Sequence, residues 1–514
     1  MNTKTSRRMW RWLAPVGMAL ALFGALLTVL LTTLPARSSP LLAFGETRYV
    51  ATTGADSGTC TSSALPCLTI AYAVSQAVSG DTISIAAGAY PEQVTVGTKV
   101  LTFIGAGAGS TLVDGSNTGR VFSITAASAT FADLTIQNGH VISDSGGGIY
   151  ALGALTLTNV AIVSNTAEAR LAGGNINGGG GVRVEGNLYV TGSRFENNTV
   201  PTPLGEGGAI RSNATSAPHP SVYISDTVFI SNTAKYGGAI SAGGSTWITN
   251  TRVASNTATA GGGGVYVVSA SPSVMLSGCT IEHNTSGGNG GGAYIAGANL
   301  MLSGCTIEHN TTLTYGGGVY VAYGLTVTGT QFFGNRAEGV SGSGGGLYAV
   351  SDASPRTVVD TDFISNTAGQ YAGGLLVGGG PVTLTNTRFI SNTSYLVGGG
   401  ARLYGATTVV DSEFTSNVGG GSGGGLYVDS SATVTGTDFS SNTSGNLGGG
   451  LFVFGAATLT NSQFTGNSAA GGGGAYFYGA ATLVDAPFAD NTATNDGGGL
   501  FARASLVMTD TQLL

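Results

Sequence analysis

Gly424-Gly425-Leu426-Tyr427-Val428, Ala432-Thr433-Val434-Thr435 and Thr437-Asp438-Phe439 follow one another within a short span, and Asn442 closes the run. Each piece alternates its side chains and is rich in β-branched or aromatic residues, as short strands are. Turn residues separate the pieces, and none is long enough for a helix. Alternation turns Leu426 and Val428 inward, then Ala432 and Val434, then Thr437 and Phe439.

Read outward, the same unit recurs along most of the chain. A large apolar residue followed three positions later by asparagine marks each copy. The asparagines are Asn165, Asn198, Asn232, Asn256, Asn284, Asn310, Asn335, Asn366, Asn392, Asn417, Asn442, Asn467 and Asn491, spaced 24 to 34 residues apart with a base period near 25. A fixed period of this size means a solenoid. Three short strands per coil, joined by right-handed crossovers, predict an all-β fold. It is a right-handed parallel β-helix of about fourteen coils, roughly 65–70 Å long at the inter-strand spacing. Phe439 and its equivalents should stack in the core. The asparagines should form an amide ladder at the turn after the third strand, a structural role rather than a catalytic one. The glycine triplets supply positive φ and close backbone approach at a corner. No helix follows them, so they do not cradle phosphate.

Composition fits one repetitive body: 87 glycines, 9% charged residues and 42% hydrophobic residues. That apolar content is too high for a disordered linker. After Phe44 there are 14 cations against 26 anions, a net of −12, with Lys99 and Lys235 the only lysines. Nucleic acid is therefore not an expected partner, because phosphate neutralisation needs clustered cations. Residues 1–44 read as a targeting segment. Lys4, Arg7, Arg8 and Arg11 precede an uncharged stretch over 13–34, with Ala36 and Ala43 as candidate cleavage positions. A cleaved signal peptide is expected, with an uncleaved signal anchor as the alternative. Either places the remainder outside the cytoplasm, secreted or at the cell surface.

Gly207-Gly208-Ala209-Ile210, Gly237-Gly238-Ala239-Ile240 and Phe195-Glu196-Asn197-Asn198 resemble the paired repeat motifs of the chlamydial polymorphic outer membrane proteins. The resemblance runs over about 146–514. It implies an adhesin-like passenger that meets an extracellular glycan or a host or neighbour cell-surface protein. Members of that family end in an autotransporter barrel, which this sequence lacks. Membrane attachment is thus expected only through the N-terminal segment or through a C-terminal anchor missing here. The start, 49–96, resembles the N-terminal caps of pectate-lyase-like β-helix proteins. An amphipathic helix over 69–79, ended by Gly80, would cover the first coil's open edges. The chain thus divides into 1–44, a cap with first strands at 45–96, and repeats over 97–514. In an oxidising compartment Cys60 and Cys67, at the cap's entry, are expected to form a disulfide. A metal pair at these cysteines would lack a nearby histidine.

Catalytic groups are harder to find. Pectinolytic β-helices use calcium held by acidic clusters with a basic residue, or paired carboxylates. Here Asp226, Asp360, Asp362, Asp411, Glu413 and Asp438 are scattered, and Asp360 with Asp362 is a pair two residues apart. A polysaccharide lyase or glycoside hydrolase is the alternative reading; no catalytic residue, cofactor or metal is assigned. The duplicated stretches 276–284 and 302–310 would stack His283 on His309 and Glu282 on Glu308, which could suit a metal. Duplication of one coil is the preferred explanation. Cys279 and Cys305 fall in an inward slot filled elsewhere by Thr or Ser.

The most suggestive column follows the glycine corner: Tyr150, Arg183, Arg211, Ser241, Tyr266, Tyr294, Tyr320, Tyr348, Leu376, Arg402, Tyr427, Phe452, Tyr476 and Phe501. Alternation predicts that these side chains face solvent. Tyr266, Tyr294, Tyr320, Tyr348, Arg402, Tyr427, Phe452 and Tyr476 are the candidate ligand-binding residues, by stacking and hydrogen bonding. Cross-strand stacking that only stabilises the sheet is the competing account. Loops at 213–221 and 351–356 are secondary candidates. The Thr-x-Thr pairs, such as Thr433/Thr435, are read as ordinary strand propensity.

Overall fold

The computed structural model describes residues 45–168, 178–201, 205–212, 219–268, 273–350 and 352–514. The targeting segment 1–44 lies outside the described residues, as do 213–218 and 351 of the two candidate loops.

The fold is a right-handed parallel β-helix. In the coil first quoted, Leu426–Val428, Ala432–Thr435 and Asp438–Ser440 are the three expected strands. They belong to what we term the glycine, threonine and phenylalanine sheets. Each strand pairs in parallel and in register with its counterpart one coil on, as in Ala432↔Ala457 and Phe439↔Phe464. The glycine and phenylalanine sheets have 16 strands each and the threonine sheet 18. This exceeds fourteen coils because the first turns, from Thr47 to Gln137, carry no ladder asparagine. Eighteen strands correspond to about 80 Å of stacking.

Three strands per coil proves too few. A fourth sheet of 11 short strands, represented by Thr443–Ser444, lies between the asparagine and the next glycine corner. Its strands are mostly two residues long, below what alternation can reveal. They still join successive coils, as in Val418↔Thr443.

The asparagines occupy the turn before this fourth sheet, and those from Asn165 to Asn467 are fully buried. Asn417 shows the pattern. Its Nδ2 donates to the Phe389 carbonyl at 2.7 Å and to Asn442 Oδ1 at 2.9 Å, while its backbone N–H donates to the same Oδ1 at 3.0 Å. Both amide donors and both oxygen lone pairs are thus used. Gly139, which takes the asparagine position one coil earlier, donates its N–H to Asn165 Oδ1. The preceding residue adopts positive φ throughout, for example Ser416 at 56° and Ser441 at 56°. Beside the ladder, Phe332, Phe363, Phe389, Phe414, Phe439, Phe464 and Phe488 stack with centroids 4.5–5.0 Å apart.

The glycine corner divides its labour. Gly423 has φ +65°, whereas a Cβ on Gly424 would strike the carbonyl oxygens of Gly449 and Thr443. The first glycine is there for conformation, the second for space.

Helix α1, Ile70–Gln76, is shorter than the 69–79 expected and ends ahead of Gly80. Thr69 caps it through a hydrogen bond from Tyr72 N–H, and Glu92 accepts from the Ile70 and Ala71 amides. Lys99 donates to the Val74 and Ser75 carbonyls at the other end, so both charges oppose the helix dipole. Ala77 is extended, and the Asp81 carboxylate takes the Val78 N–H, which stops the helix there. Asp81 also receives Glu46 N–H and Arg48. Burial pushes its pKa up, but these donors, Val78 foremost, hold it below the usual value. Ile70, Ala73 and Val74 are buried against the first strands, and Cys60 is bridged to Cys67.

Candidate functional site

The strand after each glycine corner presents one side chain outward, flanked by two inward ones. Register places these residues in a continuous row: Tyr266, Tyr294, Tyr320, Tyr348, Leu376, Arg402, Tyr427, Phe452, Tyr476 and Phe501.

The expected full exposure is not what the structure shows. Phe452 and Tyr476 are 5% and 8% exposed, and the four tyrosines, Arg402 and Tyr427 are half-buried. The row lies in a trough whose walls the strand pattern did not reveal. Tyr236 leans on Tyr266 and Tyr315 on Tyr348 from the fourth-sheet side. Arg402 packs over Tyr371 on that side and over Tyr404, and pairs with Asp429, on the other. An aromatic residue directly before a glycine corner (Tyr236, Tyr315, and Tyr371 before Ala372) was the available sequence signal.

The expected mode of contact also changes. Tyr266–Tyr294, Tyr294–Tyr320 and Tyr320–Tyr348 stack with centroids 5.0, 4.8 and 5.6 Å apart and near-parallel planes. Ring faces between Tyr266 and Tyr348 are therefore covered by neighbouring rings, and only the Tyr348 face toward Leu376 is not. What the trough offers to a ligand is ring edges and phenolic oxygens, which suit hydrogen bonding more than face stacking. Burial pushes the Tyr320 phenol up to about 12, helped by Tyr294 and Tyr348. Burial likewise raises Tyr266, Tyr294, Tyr348 and Tyr427. These hydroxyls stay protonated and able to donate at neutral pH.

Residues 219–389 match the family described as "Right handed beta helix region". No curated protein matches the sequence. Similar solved structures include a pectin methylesterase from carrot (13% identity, TM-score 0.28, covering 62% of this chain and 91% of that one). Another is the catalytic domain of a GH87 α-1,3-glucanase in complex with nigerose (12% identity, TM-score 0.20, covering 90% and 68%).

Other sequence candidates resolve into structural parts. The His283 and His309 rings lie 5.2 Å apart and tilted, and both fill the positive-φ turn position held in other coils by Ser, Asn, Asp or Gly. Glu282 pairs with Arg252. Among the described residues no group of three or more His, Cys, Asp or Glu side chains could hold a metal ion. Asp362 binds Arg388, and the Asp360 carboxylate accepts from Asn386 in a second turn column of positive-φ Asn and Asp that sequence reading missed. Cys279 and Cys305 are free and buried, each thiol donating to a carbonyl two residues back, as Thr387 and Thr437 do in the same slot. Arg356, assigned to a loop, instead opens the strand Arg356–Val359 and is fully buried. Its guanidinium donates to the carbonyls of Val350, Asp352, Ser354 and Gly379.

Proposed function

We propose that the chain is an exported, non-catalytic β-helix that binds a glycan or a cell-surface protein along the trough of the glycine sheet, in the manner of an adhesin. The observation that carries this reading is the in-register row Tyr266, Tyr294, Tyr320 and Tyr348, whose edges line one trough over successive coils. A row repeated at the coil spacing of about 4.8 Å suits an extended ligand that is met several times at low cost per contact. The pair Asp360 and Asp362 supports a non-catalytic role, since each is engaged by a neighbouring coil.

The test is a glycan array probed with the purified chain from residue 45, followed by the Tyr294→Ala/Tyr320→Ala double variant. If these are hot spots, binding weakens by about 1–3 kcal/mol. Stability should fall less, since each lost ring contact is worth roughly 0.2–1 kcal/mol. Unchanged affinity with a lower melting temperature would make the row a stabilising stack only. Release of reducing or unsaturated ends from a bound polysaccharide would make the chain an enzyme.

A further inference from the structure

The aromatic row is interrupted at Leu376, and the interruption leaves a cleft. Tyr348 is stacked from the preceding coil by both Tyr320 and Tyr315, while the next rung is the short, buried Leu376. Two coils below Tyr348 stands Arg402, about 9.6 Å away in register. Beside Tyr348 and over Leu376 is a cavity of ≈ 310 Å³, with Tyr315, Tyr371, Tyr404 and Gln370 around it. The non-aromatic rung just before Tyr266, Ser241, is occupied differently: Ser241 donates to Glu206, and Tyr236 leans across to Tyr266.

We propose that this cleft is a subsite for one neutral pyranose ring, which takes the place of the absent aromatic rung. The proposal rests on the reading of the trough as the binding face. Its chemistry follows from the lining. The Tyr348 face turned toward Leu376 is the one not stacked by Tyr315 or Tyr320, and the C–H face of a sugar packs well on such a ring. Tyr315, Tyr371, Tyr404 and Gln370 in the lining carry groups that both donate and accept, as sugar hydroxyls require. Arg402 carries no spare charge, since Asp429 neutralises it and Tyr371, Tyr404 and Tyr427 pack around its guanidinium. A carboxylated sugar therefore gains nothing over a neutral one. The volume is at the small end for ligand sites, enough for a single ring and its substituents.

The test uses the chain from residue 45, with methyl pyranosides of glucose, galactose, mannose and N-acetylglucosamine, and with methyl glucuronide. Saturation-transfer NMR and titration report binding. At least one neutral pyranoside should bind in about the millimolar range, as expected for so few atoms. Leu376→Tyr restores the missing rung without removing any polar lining residue. It should weaken that binding at least tenfold, with the circular dichroism spectrum unchanged. Tyr404→Phe, which removes one lining hydroxyl, should weaken it severalfold and guards against misfolding of the first variant. No binding by any neutral pyranoside, equal binding by Leu376→Tyr, or preference for the glucuronide would each overturn the proposal. If Leu376→Tyr binds normally while the Tyr294/Tyr320 double variant does not, the trough stands and this subsite fails. The reverse pattern keeps the cleft and removes the trough.

Discussion

At the scale of the residue, the asparagine ladder shows how a polar side chain can be the best occupant of a core. Asn417 is fully buried, yet every hydrogen-bonding group on its amide has a partner. Removal is costly because the partners cannot reach water. Asn417→Ala orphans the Phe389 carbonyl and takes the shared acceptor from the Asn392 N–H and Nδ2, while Asn442 Oδ1 keeps only the backbone N–H of residue 417. Each buried group left unpaired costs about 1–3 kcal/mol. The melting temperature should drop clearly, while binding per folded molecule in the array assay stays constant. A variant with native stability but lost binding would reassign the asparagine to the ligand site.

At the scale of the element, the tyrosine row and the cap make separate claims. Burial raises the Tyr320 phenol to about 12 from an ordinary value of 10.0. An unfolded chain releases that proton near pH 10, whereas the folded row retains it. The associated stability is therefore whole below pH 10 and is lost as the pH rises toward 12. Denaturant midpoints should fall steeply over that window, and phenolate absorbance should lag behind free tyrosine. Absorbance that tracks free tyrosine while the fold is intact would mean the row is open to solvent. In the cap, Cys60 and Cys67 are seven residues apart in sequence and fasten the segment ahead of α1. Closing so short a loop contributes about 2–3 kcal/mol in the chain-entropy account. Reduction should lower cap stability by that amount, seen as faster amide exchange in 45–80. Peptide mapping without reductant should find this bridge and no link from either cysteine to Cys279 or Cys305.

At the scale of the whole molecule, each coil contacts its neighbours along a single axis, so stability resembles a sum of coil and interface contributions. The ends are then the weak points, because a solenoid end presents unpaired strand edges. Helix α1 packs against the strands Thr47–Val50, Thr82–Ile85 and Val94–Gly97 at the first of these ends. A chain lacking 45–80 should keep its far-UV spectrum but associate, with light scattering rising with concentration. A monodisperse truncated chain would show that the cap is not needed to block edge pairing.

The sequence alone determined the solenoid, its period, the inward faces and the asparagine and phenylalanine columns. A repeat prints each structural demand many times, and alternation within a strand leaves little freedom over what faces the core. It determined too that Cys279 and Cys305 share the slot of inward Thr and Ser. The tertiary structure decided what surrounds the outward column. Whether Tyr294 is open to solvent depends on walls built by residues such as Tyr315 and Tyr371, from segments too short to show a strand pattern. It likewise decided that ring faces meet each other, since stacking depends on the geometry between coils and not on order along one of them. Arg356 is the same lesson inside the core: next to a loop it reads as solvated, and only the surrounding carbonyls of Val350, Ser354 and Gly379 turn it inward. Local pattern fixes which face a side chain leaves from, and packing between coils fixes what it meets there.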